Sequence, residues 1–190
     1  MRIAISGTHR SGKTTLAEAL SDVLPEYSTV EEPYYQLAEE GHDFAEMPSV
    51  EDFELQLERS IACLEEDKKK VIFDRCPADL LGYLLTHSEA ESFDLQRWLP
   101  RIRKAMATLD LVVFLPIEGR DRIVLPPSED PELRILVDEK LREILLDNPF
   151  DFNIGVLGVT GSPRERAQRV LMALSGGEAL APPTKRLTPR

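Results

Sequence analysis

Gly7-Thr8-His9-Arg10-Ser11-Gly12-Lys13-Thr14 sets two glycines, a lysine and a hydroxyl into one short span, and Thr15 extends the hydroxyl run. This is the spacing G-x-x-x-x-G-K-[ST]. Glycines let a backbone curl until successive N–H groups converge on phosphate oxygens. A helix opening near Gly12 adds the positive end of its dipole. Lys13 supplies a charge for the outer phosphates, and the Thr14 hydroxyl suits Mg²⁺. Farther along, Val71-Ile72-Phe73-Asp74 is an apolar run ending in an acid, followed by Arg75 and then Cys76-Pro77. An acid at a strand's carboxyl end beside such a loop can hold Mg²⁺ or its water shell, and Arg75 would lie next to the phosphates. A polar strand end carrying an Asp–Arg pair is the simpler alternative.

These residues need elements that bring them together. Arg2–Ser6 reads as a strand feeding the glycine-rich turn, and Gly12–Leu24 as a helix with Leu16, Leu20, Val23 and Leu24 on one face. Ser28–Glu32 reads as a strand ended by Pro33. Val50, Phe53, Leu57, Ile61 and Leu64 mark the stripe of a long helix. Val71–Phe73 is a buried strand, and Ala78–His87 a helix. Phe93–Thr108 is a further helix that Pro100 is expected to bend or split. Leu111–Leu115 and Ile154–Val159 are the remaining strands. Between them lie a charged, proline-bearing loop over Glu118–Pro131 and an amphipathic helix carrying Leu133, Val137, Leu141 and Ile144. Ser162, Pro163 and Glu165 stand at the N-cap, first-turn and capping-box positions of a last helix. Five strands alternating with helices form an α/β fold, a parallel sheet with helices on both faces, whose ligands gather at the strands' carboxyl ends.

The balance of charge narrows the partners. The 190 residues include 34 acidic and 23 basic side chains, a net charge of −11. Phosphate-backbone binding rests on clustered Lys and Arg, so nucleic acid is an unfavoured partner, and an anionic membrane surface equally so. The longest apolar stretch, Leu111–Leu115, is far short of a membrane span, and no signal-peptide pattern opens the chain. Two isolated cysteines, Cys63 and Cys76, make neither a disulfide framework nor a zinc site and suit a reducing, cytoplasmic setting. His9, His42 and His87 lack metal-ligand spacing. Lys68–Lys70 is a solvated run. Leu174-Ser175-Gly176-Gly177-Glu178 matches an ABC-type signature only by chance, and no N-K-x-D motif for guanine is present. The sequence carries no sign of oligomeric state.

The loop Gly7–Thr15 followed by Asp74-Arg75-Cys76-Pro77-Ala78-Asp79-Leu80-Leu81-Gly82-Tyr83 resembles the P-loop nucleoside and nucleotide kinases. It is most similar to AAA-type ATPase/kinase-like domains that resemble nicotinamide riboside kinase, in which a D-R-x-P-x-D-x-L-x-Y stretch follows the third strand. The resemblance spans residues 1–174, leaving 175–190 as a flexible tail. It implies a three-layer P-loop NTPase fold with strand order 2-3-1-4-5, a lid near residues 118–134, and ATP with Mg²⁺ as cofactor. It also implies a small-molecule acceptor, a nucleoside or nucleotide.

Residue roles follow from the same resemblance. Gly7 to Thr15, including Thr8, His9, Arg10 and Ser11, would bind the phosphates, with Thr14 and Asp74 on the metal. Glu32, closing the second strand in a Glu-Pro step, would accept the acceptor's proton, with Glu31 as fallback. Arg75 would bridge acceptor and phosphoryl. Gln56 and Arg59 share a face of the long helix with Asp52 and Cys63 and would wall the acceptor pocket; a solvated face is the alternative. Arg120, Arg122 or Arg134 would close over the phosphoryl group, although the proline-rich segment departs from the usual R-x-x-x-R pattern. Ser162 and Pro163 would border the adenine. Two functions stay open at this point: an ATP-dependent kinase, and a nucleotide-binding switch whose output is a partner interaction.

Overall fold

The structure is a computed structural model and describes residues 1–45, 48–118 and 130–176. Arg120 and Arg122, and all of the tail beyond residue 176, lie outside the described residues. Five parallel strands form one sheet: β1 (Arg2–Ser6), β2 (Ser28–Val30), β3 (Val71–Asp74), β4 (Leu111–Phe114) and β5 (Gly155–Gly158). Their order is β2-β3-β1-β4-β5, the order expected. Ile5 lies beside Asp74 on one side and Val113 on the other, so β1 is the centre.

Side-chain alternation along the strands divides the core into two layers. Ile3, Ile5, Ile72, Leu111 and Val113 face α1 (Lys13–Val23) and α7 (Pro163–Leu174), meeting Leu16, Leu20 and Val170. Ala4, Val71, Phe73, Val112 and Phe114 face the other way. There they meet α3 (Val50–Glu65), α4 (Pro77–Thr86), α5 (Leu95–Met106) and α6 (Pro131–Arg142). Every residue of β3 and β4 is buried. This is why those strands read as unbroken apolar runs, as strands covered on both faces do.

Two expectations change. The chain after β2 is helical: α2 (Pro33–Glu39) begins on Pro33 itself, and β2 stops at Val30. Pro33 occupies the first helical turn, where its missing N–H costs no hydrogen bond, so it starts a helix as well as ending a strand. The helix around Pro100 is continuous, neither split nor interrupted. Pro100 sits one turn inside α5, whose other face buries Trp98, Ile102 and Met106. The Ser162 cap is found as expected, with the Ser162 hydroxyl accepting from the Glu165 N–H and Glu165 closing the capping box. Cys63 and Cys76 are both free and buried. Among the described residues no helix is long and apolar enough to cross a membrane.

Candidate active site

The phosphate loop runs from the end of β1 into α1, and its curl has visible causes. A side chain at Gly7 would strike the Leu115 carbonyl at 2.8 Å, so that position is closed to any Cβ by backbone. Gly12, just before the helix, has φ +88°, the left-handed region that glycine tolerates. The first turn of α1 carries no acidic residue, which leaves its N-terminal N–H groups suited to an anion.

Helix α4 fixes the loop from one side. Asp79 is fully buried and accepts from the Ser6 hydroxyl (3.0 Å), the Gly7 N–H (2.8 Å) and the Cys76 N–H (3.0 Å). One turn on, the Tyr83 hydroxyl accepts the His9 N–H at 2.9 Å and lies 3.1 Å from His9 Nδ1. Gly7 and His9 therefore commit their N–H groups to α4. Thr8 is buried, and its carbonyl accepts from Lys13 Nζ at 3.0 Å. Thr15 is exposed at the outer side of the helix.

The outward carbonyls of the loop are met by arginines. Arg134, 3% exposed on α6, donates to the carbonyls of His9 (3.1 Å) and Arg10 (3.2 Å). Arg10 itself has φ +53°. Arg166, on α7, donates to the Ser11 carbonyl at 2.7 Å. Sequence reading placed Arg134 in the lid and gave Arg166 no part. The signal for Arg166 is its position one turn inside the helix that Ser162 caps, on the helix packed against α1; only the fold makes that meaningful.

The carboxyl end of β3 supplies the rest. The Thr14 hydroxyl donates to Asp74 Oδ2 at 2.7 Å, while Asp74 Oδ1 is buried without a hydrogen-bond partner. Burial raises the Asp74 pKa above the usual carboxylate range, against the pull of Lys13 and of the Thr14 hydrogen bond. An orphaned carboxylate oxygen beside a hydroxyl is a fit for a hard cation that takes oxygen ligands. Among the described residues no group of three or more His, Cys, Asp or Glu is placed to hold a metal. Thr14 and Asp74 would thus hold Mg²⁺ with phosphates and water completing its shell.

Arg75 follows Asp74 with φ +79°, rare for a residue bearing a Cβ. That turn aims its guanidinium inward, where it is 7% exposed. Its Nε donates to Glu32 in a short ion pair, and its Nη1 lies 3.9 Å from Asp79. Its guanidinium carbon sits 5.3 Å from the centre of the Tyr83 ring. Burial alone would raise the Glu32 pKa, but Arg75 and Lys13 outweigh it and hold the carboxyl below its ordinary value. Lys13 is pushed down to about 8, first by burial and then by Arg75.

A crevice with room for about one water molecule opens beside Asp74 and Arg75, between α2 and α3. Glu31, Gln36, Ser60 and Cys63 contribute to its lining. The Cys63 thiol donates to Gln36 Oε1 at 3.5 Å, and Gln36 Nε2 donates to the Glu31 carbonyl at 2.5 Å. Gln56 and Arg59 do not line it: Gln56 is buried with its amide on the Asp52 carbonyl (3.3 Å), and Arg59 pairs with Glu40. Asp52 is occupied by the α3 cap and by His42. Ser60 and Cys63, one turn farther along α3, occupy the cleft instead. No sequence pattern marks Gln36, because α2 does not read as a helix beside Pro33. Ser162 and Pro163 stand at the start of α7, next to Gly161, whose N–H donates to Glu118 at 2.8 Å.

With this geometry the comparisons are consistent. Residues 2–166 match the family model described as AAA domain. Deoxyadenosine kinase from M. mycoides with bound dATP superposes with a TM-score of 0.62 at 18% identity, over 92% of this chain and all of that one. Thymidylate kinase from Candida albicans superposes at 0.59 and 19% identity over 92% of each chain. Shikimate kinase from Aquifex aeolicus does so at 0.54 and 22%, over 93% of this chain and 97% of its own. No curated protein sequence matches the chain. The fold is that of the P-loop kinases. The chain belongs to the AAA-domain family.

Proposed function

We propose that this protein is an ATP-dependent phosphotransferase acting on a small acceptor, a nucleoside or nucleotide. The observation that carries the reading is the Arg75–Glu32 pair. It sets an ionised carboxylate and a guanidinium beside Lys13 and Asp74, with Arg75 and Glu31, not Glu32, lining the small crevice next to them. A carboxylate and a guanidinium placed there suit a nucleophile brought in line with the γ-phosphorus. The kinase neighbours support the same class, and their acceptors, as named, include a nucleoside, a nucleotide and a compound that is neither.

In this reading Lys13 and the N–H groups of the first α1 turn grip the β- and γ-phosphates. Thr14 and Asp74 hold Mg²⁺, which when bound neutralises charge developing on the phosphate oxygens. The acceptor lies over the crevice between α2 and α3, against Arg75 and Glu32. Its oxygen attacks the γ-phosphorus as the bond to the β-γ bridging oxygen breaks, and ADP leaves. Where the acceptor oxygen is a hydroxyl, Glu32 accepts its hydrogen bond and then its proton. A carboxylate held ionised by Arg75 is always ready to accept; it orients the nucleophile and takes the proton late. Arg75 bridges acceptor and transferring group. Arg134, already at the loop, brings a second guanidinium near it, and Arg122 is the other candidate from the segment that follows β4. Ser162 and Pro163 border the adenine.

The test is release of ADP from Mg-ATP over a panel of nucleosides and nucleoside monophosphates. Turnover rising at least tenfold above background hydrolysis with one class of acceptor is the expected result. A panel in which no acceptor raises turnover removes the kinase reading.

A further inference from the structure

Arg166 holds three parts of the chain at once. Its Nη1 donates to the Ser11 carbonyl in the phosphate loop (2.7 Å). The same nitrogen lies over Gly12, where a Cβ would meet it at 3.1 Å. Its Nη2 pairs with Glu118 Oε1 at 2.9 Å, and that oxygen also accepts the Gly161 N–H at 2.8 Å. Glu118 follows β4, and Gly161 stands between β5 and α7. The pair is largely shielded, with side chains 12% and 20% exposed. Proximity to water is therefore too small to cancel the attraction, as it does for surface pairs.

A loop that turns its N–H groups toward phosphate must turn the matching carbonyls outward. Those carbonyls repel the bound anion less when a cation covers them, and the curl is stiffer when they are tied. Arg166 does both for the Ser11 carbonyl, and it lies against Gly12, the residue before Lys13. Glu118 sets the guanidinium's angle, and through Gly161 it ties the loop before α7 to the phosphate loop. We infer that Arg166 and Glu118 form a clasp that pre-shapes the donor-nucleotide site, with Arg166 a positioning residue for the phosphate loop. This inference rests on the phosphate loop binding a nucleoside triphosphate, and it is independent of what the acceptor is.

The experiment titrates full-length protein with a fluorescent ATP analogue and Mg²⁺, using Arg166→Met, Arg166→Lys, Glu118→Gln and the double variant Arg166→Met/Glu118→Gln. Thermal melts report folding, and Arg101→Ala, in the exposed pair with Glu58, is the control. Arg166→Met is expected to raise Kd about tenfold, the equivalent of ~1.4 kcal/mol. Arg166→Lys keeps the charge but not the fork of two bonds, so it recovers only part of that loss. Glu118→Gln raises Kd about threefold, and the double variant is no weaker than Arg166→Met alone, because the two act as one unit. If Arg166→Met fails to fold, the Lys and Gln variants carry the test. Folded variants that bind at the wild-type Kd, or losses that multiply in the double variant, overturn the clasp. Failure of the wild-type protein to bind the analogue overturns the phosphate-loop reading instead.

Discussion

Around the phosphate loop, Asp79, Tyr83, Arg134 and Arg166 bind main-chain groups from three helices, α4, α6 and α7. Across Arg75, the cleft between α2 and α3 is held differently. Its contacts run mainly between side chains, as in Arg75–Glu32 and Cys63–Gln36, with the Glu31 carbonyl, just past β2, accepting from Gln36. The loop is thus fixed as backbone, before any ligand arrives, whereas the cleft is fixed as chemistry. A site for a common donor needs one shape. A site for an acceptor needs a shape that side chains alone can change.

The largest expected effect tests the acceptor half. Glu32→Gln should lower the transfer rate by about 10²–10⁴-fold, the range for loss of a general base, while the Kd for Mg-ATP stays within about threefold. Nucleotide affinity that collapses together with rate would erase the division between the halves. Gln can still accept from Arg75, and Asp79 remains 3.9 Å from that guanidinium, so the variant should fold. Next, Lys13→Ala should weaken Mg-ATP binding by about 10²-fold, as expected for losing a charge-assisted contact, with a near-native melt. Unchanged affinity in a folded variant would remove the loop from the donor role.

A smaller effect follows from the pKa of Lys13, about 8 against an ordinary 10.5. Phosphate binding favours the ammonium, so affinity for Mg-ATP should fall by about twentyfold as pH rises from about 7.5 to about 9.5. Folding runs the other way. Between about 8 and 10.5 the unfolded chain holds more protons at this position than the folded one, so the Lys13 contribution to stability grows as pH rises through that window. Denaturant melts of wild type and Lys13→Met across those values should differ in that slope. The smallest effect is Arg59→Ala: its pair with Glu40 is exposed, so stability should change by less than about 1 kcal/mol. A transfer rate more than about threefold lower in that variant would return Arg59 to the acceptor site.

The two halves also differed in how legible they were. The loop, the acid at the end of β3 and the α7 cap are local patterns: their function depends on residues adjacent in sequence, and each was found where expected. The sheet was equally readable, because strands covered on both faces are continuous apolar runs. The cleft was not. Gln36 lies on a seven-residue helix whose start, Pro33, also reads as a strand stop. Helical periodicity places Gln56, Arg59 and Cys63 on one face, yet only the packing of α2 against α3 decides that the cleft opens one turn later, at Ser60 and Cys63. Arg166 and Tyr83 reach the loop across 155 and 74 positions of sequence, a distance no local pattern spans.

The placement of β1 at the middle of the sheet has a consequence for descent. Beside β3, most of the crevice wall comes from one stretch, Glu31 to Cys63, whereas the ties on the loop that leaves β1 come from α4, α6 and α7. Substitutions between residues 31 and 63 can therefore reshape most of that wall while Asp79, Tyr83, Arg134 and Arg166 keep the phosphate loop tied. Retooling such a molecule takes edits within one stretch of the gene, not concerted changes throughout it.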